Sequence, residues 1–479
     1  MASSNIANPN QSTAQDGQKP SLDVSSTNER ALLIPNNTVR AVFETTLIVV
    51  GLFAMLIFLP HGIFGDGTPR FQAISELLEQ GKLSNMQFSM VGPFFSIPFW
   101  LLGKLYKTPA WWSARYNLFV FAAGLLALYF LLRNRIDRGL IRKFFLILII
   151  ASMFANNLMD YYGDVFTAVV VAIGIVMLMT GSSLGGWGTI VLGVINTPAS
   201  LVGLGCVVLK RVLDKKRLRY ILALGAASGL IVLEYTIRRG GFSISGYAPP
   251  VNPALKTVMP YSGPRGFSYP FFFGLLSILF SFGKGLFFFA PGLLLPVRAL
   301  VRRIQESIKI DLYTTYLLWI SFLVGLVLVY SSWWAWYGGW FWGPRFFLFA
   351  SIPASFALAL RLHYRGPSLA ANMLTTAVFC LSLWVGIDGA LFDQQGLGIC
   401  ISGNYALEFL CHYTPEFSVL WHPFVTGFSL NEHQLLYLAY SLVVFAYLAI
   451  PLLGDVVAQA IQKTSDLGKT HLNFKSWHF

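Results

Sequence analysis

The sequence predicts an all-α polytopic membrane protein, and three observations carry that prediction. Hydrophobic residues make up 55% of the 479 and charged residues only 11%. Ordinary soluble domains carry about 25% charged residues. Mean hydropathy is +0.62. Several apolar runs approach the ~20 residues that an α-helix needs to cross a bilayer. Candidate spans lie near 39–59, 112–132, 143–158, 164–181, 187–209, 219–237, 286–301, 312–331, 345–362, 369–388 and 434–453, giving about 11–12 transmembrane helices. Residues 1–38 are polar, rich in Ser, Asn and Gln, with no apolar core. They read as a disordered cytoplasmic tail, not a signal peptide. The transmembrane domain is expected over 39–454, with a second cytoplasmic tail over 455–479.

The basic residues set the topology. They cluster in "RNRIDRGLIRK" (133–143), "KRVLDKKRLR" (210–219), "RALVRR" (298–303) and at Arg361 and Arg365. The positive-inside rule places these segments in the cytoplasm. A cytoplasmic N-terminus then requires that 187–209 is not a simple crossing. That run carries Asn196, Thr197 and Pro198 at its middle, so it reads as two half-helices that enter and return. Such breaks are tolerated at membrane depth where they are buried in protein or line a cavity. The opposite loops, about 60–111, 159–163, 238–285, 332–344 and 389–433, face outward. No Lys or Arg occurs between Arg365 and Lys463. The net charge of +13 is therefore mostly cytoplasmic anchoring, and nucleic acid is not an expected partner.

Four outer stretches hold the candidate chemistry. In "IFGDGTPRFQAISELLEQGKL" (63–83), Thr68 can cap a helix, Pro69 suits its first position and Gly81 its end. Phe71, Ile74, Leu77 and Leu78 share one face, while Arg70, Gln72, Ser75, Glu76 and Glu79 take the rest. That pattern predicts a short helix lying in the interface plane. "SMVGPFFSIPFWLLGKLY" (89–106) reads as a second juxtamembrane segment. Asp66 sits in Gly-Asp-Gly at the membrane lip, either as a solvated turn residue or as a general base facing a bilayer-borne substrate. "MDYYGDV" (159–165) adds Asp160 and Asp164, and Asp164 also suits a helix cap. Arg265 and Lys284, each flanked by Gly, lie in a long aromatic run and suit a lipid phosphate. "SSWWAWYGGWFWGPRFF" (331–347) holds five Trp, a Gly-Gly break and Arg345. Interfacial anchoring explains the Trp. Aromatic faces also stack on sugar rings, and an Arg fork suits phosphate. Cys400 and Cys411, in the last outer loop, can form a disulfide on an oxidising side.

These stretches together resemble the GT-C superfamily of multi-pass glycosyltransferases. Within it, the chain looks closest to bacterial relatives of the protein O-mannosyltransferases and of the lipid A aminoarabinose transferases. The matching residues are "GDGTPRFQAISELLEQGKL", "SMVGPFFSIPFWLLGK", "GFSYPFFFGLLSILFSFGKGLFFFAPGLLL" and "WWAWYGGWFWGPRFFLFASIP", which spread over roughly 40–365. The resemblance implies that the first-loop acid, Asp66, is the catalytic base, and that Asp164 is the second outer acid, with Asp160 in reserve. It implies a donor phosphate near Arg345 and Lys284; Arg265, Trp340 and Tyr337 complete the donor-binding candidates. The first loop departs from the family's Asp-Glu or Glu-x-x-Tyr patterns.

The expected function is transfer of a sugar, with inversion, from a polyprenyl-phosphate donor to an acceptor hydroxyl of a glycan, lipid or protein. It would occur on the outer side of a bacterial plasma membrane. No cofactor is required by the resemblance, although some GT-C enzymes use a divalent metal. The rival from another class is a transporter or flippase of a lipid-linked saccharide. It would use Glu44 and Glu234 as intramembrane carboxylates with Arg115 as counter-charge.

Overall fold

A computed structural model describes residues 33–34, 36–241, 266–305, 308–339, 341–392, 398–400 and 402–475. Most of the expected 1–38 tail lies outside them. Among the described residues the chain is helical, with no strand beyond one isolated bridge. Seven helices are long and apolar enough to cross a membrane. The other expected crossings fall on shorter helices or on broken runs.

Helix α1 (Asn37–Phe58) begins where Asn36 Oδ1 accepts the amides of Thr38 and Val39. It leads to a shelf on the face that the basic clusters predict to lie outside, termed the outer face: α2 (Gly67–Gln80), α3 (Val91–Phe95) and α4 (Ile97–Leu105). The shelf helix stops as the sequence predicts. Gly81 turns left-handed at φ 67°, its amide donates to the Leu77 carbonyl, and the Lys82 amide donates to that of Glu76. The start differs slightly. The helix opens at Gly67, one residue before the expected Thr68 cap, and Thr68 Oγ1 turns back to the Ile63 carbonyl.

Helices α5 (Tyr116–Leu132) and α6 (Arg138–Ile150) join through the first basic turn, and α7 (Asp164–Met179) leads back from the outer side. The broken run resolves into α8 (Ser183–Asn196), one 3-10 turn over Pro198–Ser200, and α9 (Leu201–Lys215). The segments do enter and return, but they are not half-helices. Gly186 lies against Leu178 at one end of α7, and Asn196 reaches the Gly163 carbonyl at the other. Arg211 of α9 comes back to Met179. Each segment therefore runs the whole depth of α7, about 21–24 Å at 1.5 Å per residue.

Helix α10 (Ile221–Arg239) ends on the outer face. There Arg238 donates to the carbonyls of Ser84, Met86 and Phe88, while Glu234 accepts the Met90 amide. Glu234 itself pairs with Arg238 at 2.7 Å. Glu44 pairs with Arg142 at 2.5 Å and accepts Tyr447 Oη. Neither carboxylate uses Arg115, which stacks on Trp111. The counter-charge expected for a transporter is therefore replaced by two local ion pairs that brace helices and loops.

The remaining elements are α11 (Phe271–Phe280), α12 (Leu312–Ser331), α13 (Ser351–His363), α14 (Leu369–Leu391), α15 (Glu408–Tyr413) and α16 (Glu432–Lys475). Between α11 and α12 the expected 286–301 span is broken into single turns around Pro291 and a short helix Arg298–Ile304. Helix α16 runs through Pro451 and continues past the boundary expected at 455. Arg365 anchors it by pairing with Asp455 at 2.9 Å and donating to the Pro451 carbonyl.

Asn196 is the polar pin of the outer rim. Its Oδ1 accepts the Gly92 amide at 2.9 Å, and its Nδ2 donates to the Gly163 carbonyl at 2.8 Å. One side chain thus ties the shelf to the head of α7 at the break between α8 and α9. Asn196→Leu keeps the bulk, leaves the Gly92 amide unpaired and strips the Gly163 carbonyl of one of its two donors, the other being the Thr167 amide. The expected cost is about 2–4 kcal/mol, read as a lower unfolding temperature in detergent.

Candidate functional site

The outer rim brings together residues that the sequence keeps far apart. Asp66 lies in the turn between α1 and α2. Gly65 holds that turn at φ +48°, where a Cβ would strike the Phe341 ring. Close approach and a left-handed backbone both demand glycine here. The next outer turn is bonded to the first. Gly62 bridges Asp160 and its amide donates to the Met159 carbonyl at 2.9 Å. Asn117 Nδ2, buried at the head of α5, donates to the carbonyls of Asp160 and Tyr162. This double clasp sets Asp164, the first residue of α7, beside Asp66.

The third wall is the late aromatic loop. Gly338 and Gly339 both adopt positive φ, 75° and 81°, so the chain doubles back on itself. Arg345 Nε donates to the Gly338 carbonyl at 3.0 Å, and Nη2 pairs with Asp66 Oδ2 at 2.5 Å. The guanidinium lies over the rings of Phe341 at 4.1 Å and Tyr162 at 5.2 Å. Its charge is fixed in direction by aromatic faces and a backbone carbonyl. Asp164 lies within electrostatic reach of both Arg345 and Arg70, and forms a salt bridge with neither.

Arg70 is the residue that the face pattern misplaced. It is buried with Ala73 and Ile74, not on the polar side of α2. The spacing held the signal: Arg70 precedes Ile74 and Leu77 by four and seven residues, the apolar stripe itself. Its guanidinium rests over the Phe88 ring at 4.6 Å. Burial pulls it below the usual arginine range, and the charges of Asp164 and Asp66 oppose that pull. Beside it Tyr161 is held neutral, pushed up to about 12 by burial, with its hydroxyl 2.5 Å from Ser96 Oγ.

Lys284 takes a role different from the one expected. Its ammonium donates to the carbonyls of Gly339, Phe341 and Gly343. An ammonium has three N–H donors, and the loop takes one for each carbonyl. Burial pushes Lys284 well below its usual range, helped by Arg345, while Glu408 opposes. The three carbonyls favour the charged form. Lys284 is thus the clip that shapes the Arg345 loop, not a group open to phosphate. Trp342 adds a second clip, donating its Nε1 to Asp388 Oδ2 at 2.7 Å.

Tyr337 is buried, its ring 4.8 Å from His412 and 5.5 Å from Trp336. Trp334, Trp336 and Trp342 are buried as well. These rings are core of the outer rim and offer no open face to a sugar. Trp340 and Arg265 lie outside the described residues. Cys400 and Cys411 are joined in a disulfide. It holds α15, whose His412 carbonyl accepts the Gly283 amide next to Lys284.

No family model and no curated protein matches the chain. Two solved structures are similar to it. ArnT from Cupriavidus metallidurans bound to undecaprenyl phosphate shares 12% identity, covering 90% of this chain and 80% of that one, with a TM-score of 0.48. ArnT from the same organism in the apo state shares 14% identity, covering 88% of this chain and 72% of that one, with a TM-score of 0.47. A likeness of this degree assigns no role to any residue.

The clip is testable. Lys284→Met keeps the stem and removes all three charge-assisted donors. The expected loss is about 2–4 kcal/mol in thermal unfolding. Near-UV circular dichroism should change too, since the loop carries several Trp. An unchanged melting curve and spectrum would mean that the carbonyls do not depend on Lys284.

Proposed function

We propose that the chain is a GT-C glycosyltransferase of a bacterial plasma membrane. It would move a sugar from a polyprenyl-phosphate donor to an acceptor hydroxyl on the outer side, with inversion. One observation carries this reading. Asp66 and Arg345, 279 residues apart in sequence, are paired at the membrane lip with Asp164 beside them. A carboxylate beside a buried guanidinium is what a single displacement at a sugar phosphate needs.

The chemistry follows from those groups. The acceptor oxygen attacks the anomeric carbon and gives its proton to Asp66. The bond from that carbon to the phosphate oxygen breaks, and its electron pair leaves with the phosphate. Arg345 stabilises the charge that develops there. Before donor binding, Arg345 occupies Asp66 Oδ2. An arriving phosphate competes for the guanidinium and frees the carboxylate to act as base. Asp164 balances the charge of the two arginines and is placed to orient the acceptor. The step uses no cofactor and invokes no metal.

Asp66→Asn should lower transfer by about 10²–10⁴-fold while the protein elutes unchanged in size exclusion. Arg345→Gln should impair transfer as well. The assay is product formation in detergent with a synthetic polyprenyl-phosphate sugar. Flux of a lipid-linked saccharide in sealed vesicles, without any product in detergent, would favour the transporter instead.

A further inference from the structure

The strongest unexplained group on the outer rim is Arg70. It is 8% exposed, and its Nε and Nη1 are buried with no hydrogen-bond partner. Other buried cations of the outer rim are committed. Lys284 donates to three carbonyls, Arg238 to three carbonyls and Glu234, and Arg345 to Gly338 and Asp66. A buried guanidinium with idle donors is costly, because each unmet polar group forfeits its hydration. Cation–π contact with Phe88 offsets only part of this.

The head of α7 packs close against the guanidinium. A Cβ on Gly163 would lie 2.9 Å from Nη1 and 3.1 Å from Cζ of Arg70, so glycine is what permits that approach. Asn196 holds the Gly163 carbonyl with its amide at 2.8 Å, so that carbonyl does not turn to Arg70. Asp164, the next residue, stays out of salt-bridge range while still lying within electrostatic reach. Formal charge does not demand an anion, since Asp66 and Asp164 balance Arg70 and Arg345. The unmet hydrogen bonds call for an acceptor that the surrounding side chains do not supply.

We propose that Arg70 is an anion-binding residue of this site, whose idle N–H donors receive the phosphate oxygens of a lipid-borne phosphate. The proposal rests on the glycosyltransferase reading and deepens it. Lys284, the cation the sequence pointed to, is occupied by its own loop. The fork geometry of Arg70 suits two phosphate oxygens at once. Phosphate docking there also sets a negative group next to Arg345, which is what the release of Asp66 requires.

The test is binding by the full-length protein in detergent, with undecaprenyl phosphate, undecaprenol and inorganic phosphate as probes. Wild type should prefer undecaprenyl phosphate to undecaprenol. Arg70→Gln should weaken undecaprenyl phosphate binding about 10-fold or more and leave undecaprenol binding unchanged. Arg70→Lys, which keeps charge without the fork, should recover part of the loss and guards against a variant that fails to fold. Equal phosphate affinity in wild type and both variants would overturn the role of Arg70 while leaving the glycosyltransferase reading intact. A wild type that binds undecaprenol as tightly as undecaprenyl phosphate would sink that reading and the inference with it. Inorganic phosphate that binds as tightly as the lipid, and depends on Arg70, would keep the anion site but overturn its lipid source.

Discussion

The ion pair between Asp66 and Arg345 is the contact on which the outer rim depends. It joins the first outer turn to the last aromatic loop. Asp66 is set by a left-handed glycine, by the clasp between the 62 and 160 turns, and by the shelf helix behind it. Arg345 is set by two positive-φ glycines, three aromatic rings and the carbonyl of Gly338. Each support is modest alone. Together they place two opposite charges at a half-buried site, where their attraction is worth more than in water.

Behind that pair lies a layered brace. The Arg345 loop is shaped by Lys284, and the segment of Lys284 is tied to α15 through Gly283 and the His412 carbonyl. The disulfide between Cys400 and Cys411 fixes α15 in turn. Burial also pushes the His412 imidazole well below its usual range, with Lys284 adding to that effect. Neutral His412 packs on Tyr337, with the buried Glu408 carboxylate 3.6 Å from its Nε2, so the rim under the loop is closely filled. The chain of contacts runs from the disulfide through α15 and the Arg345 loop to the candidate base. The shelf is braced separately, by Asn196 from the α8–α9 break and by Arg238 from α10. Helix ends on the outer side therefore do most of the positioning, and the spans provide the frame.

Much of this was legible from residue patterns. Gly81 ended the shelf helix as its position implied, through a left-handed turn that only a residue without Cβ adopts freely. Asn196-Thr197-Pro198 marked a real break. The errors share one cause. Arg70 was assigned by polarity to the outer face of α2, yet its spacing follows the apolar stripe. The Trp-rich stretch suggested a belt or a sugar platform, yet Trp334, Trp336 and Trp342 are buried. Polarity and aromatic content are local quantities. Whether a side chain meets water, lipid or protein is settled by elements hundreds of residues away.

By itself the sequence determined that the chain is helical and membrane-spanning, and where the shelf helix stops. These features follow from hydropathy, charge and glycine, which act over one or a few turns of chain. Only the tertiary structure decided that Asp66 meets Arg345, that Lys284 clips a loop, that α8 and α9 run the full depth of α7, and that Arg70 points its idle donors inward. Those outcomes depend on hydrogen bonds and close contacts between segments far apart in sequence. No window of residues encodes the distance between two loops, because that distance exists only once the helices that carry them have packed.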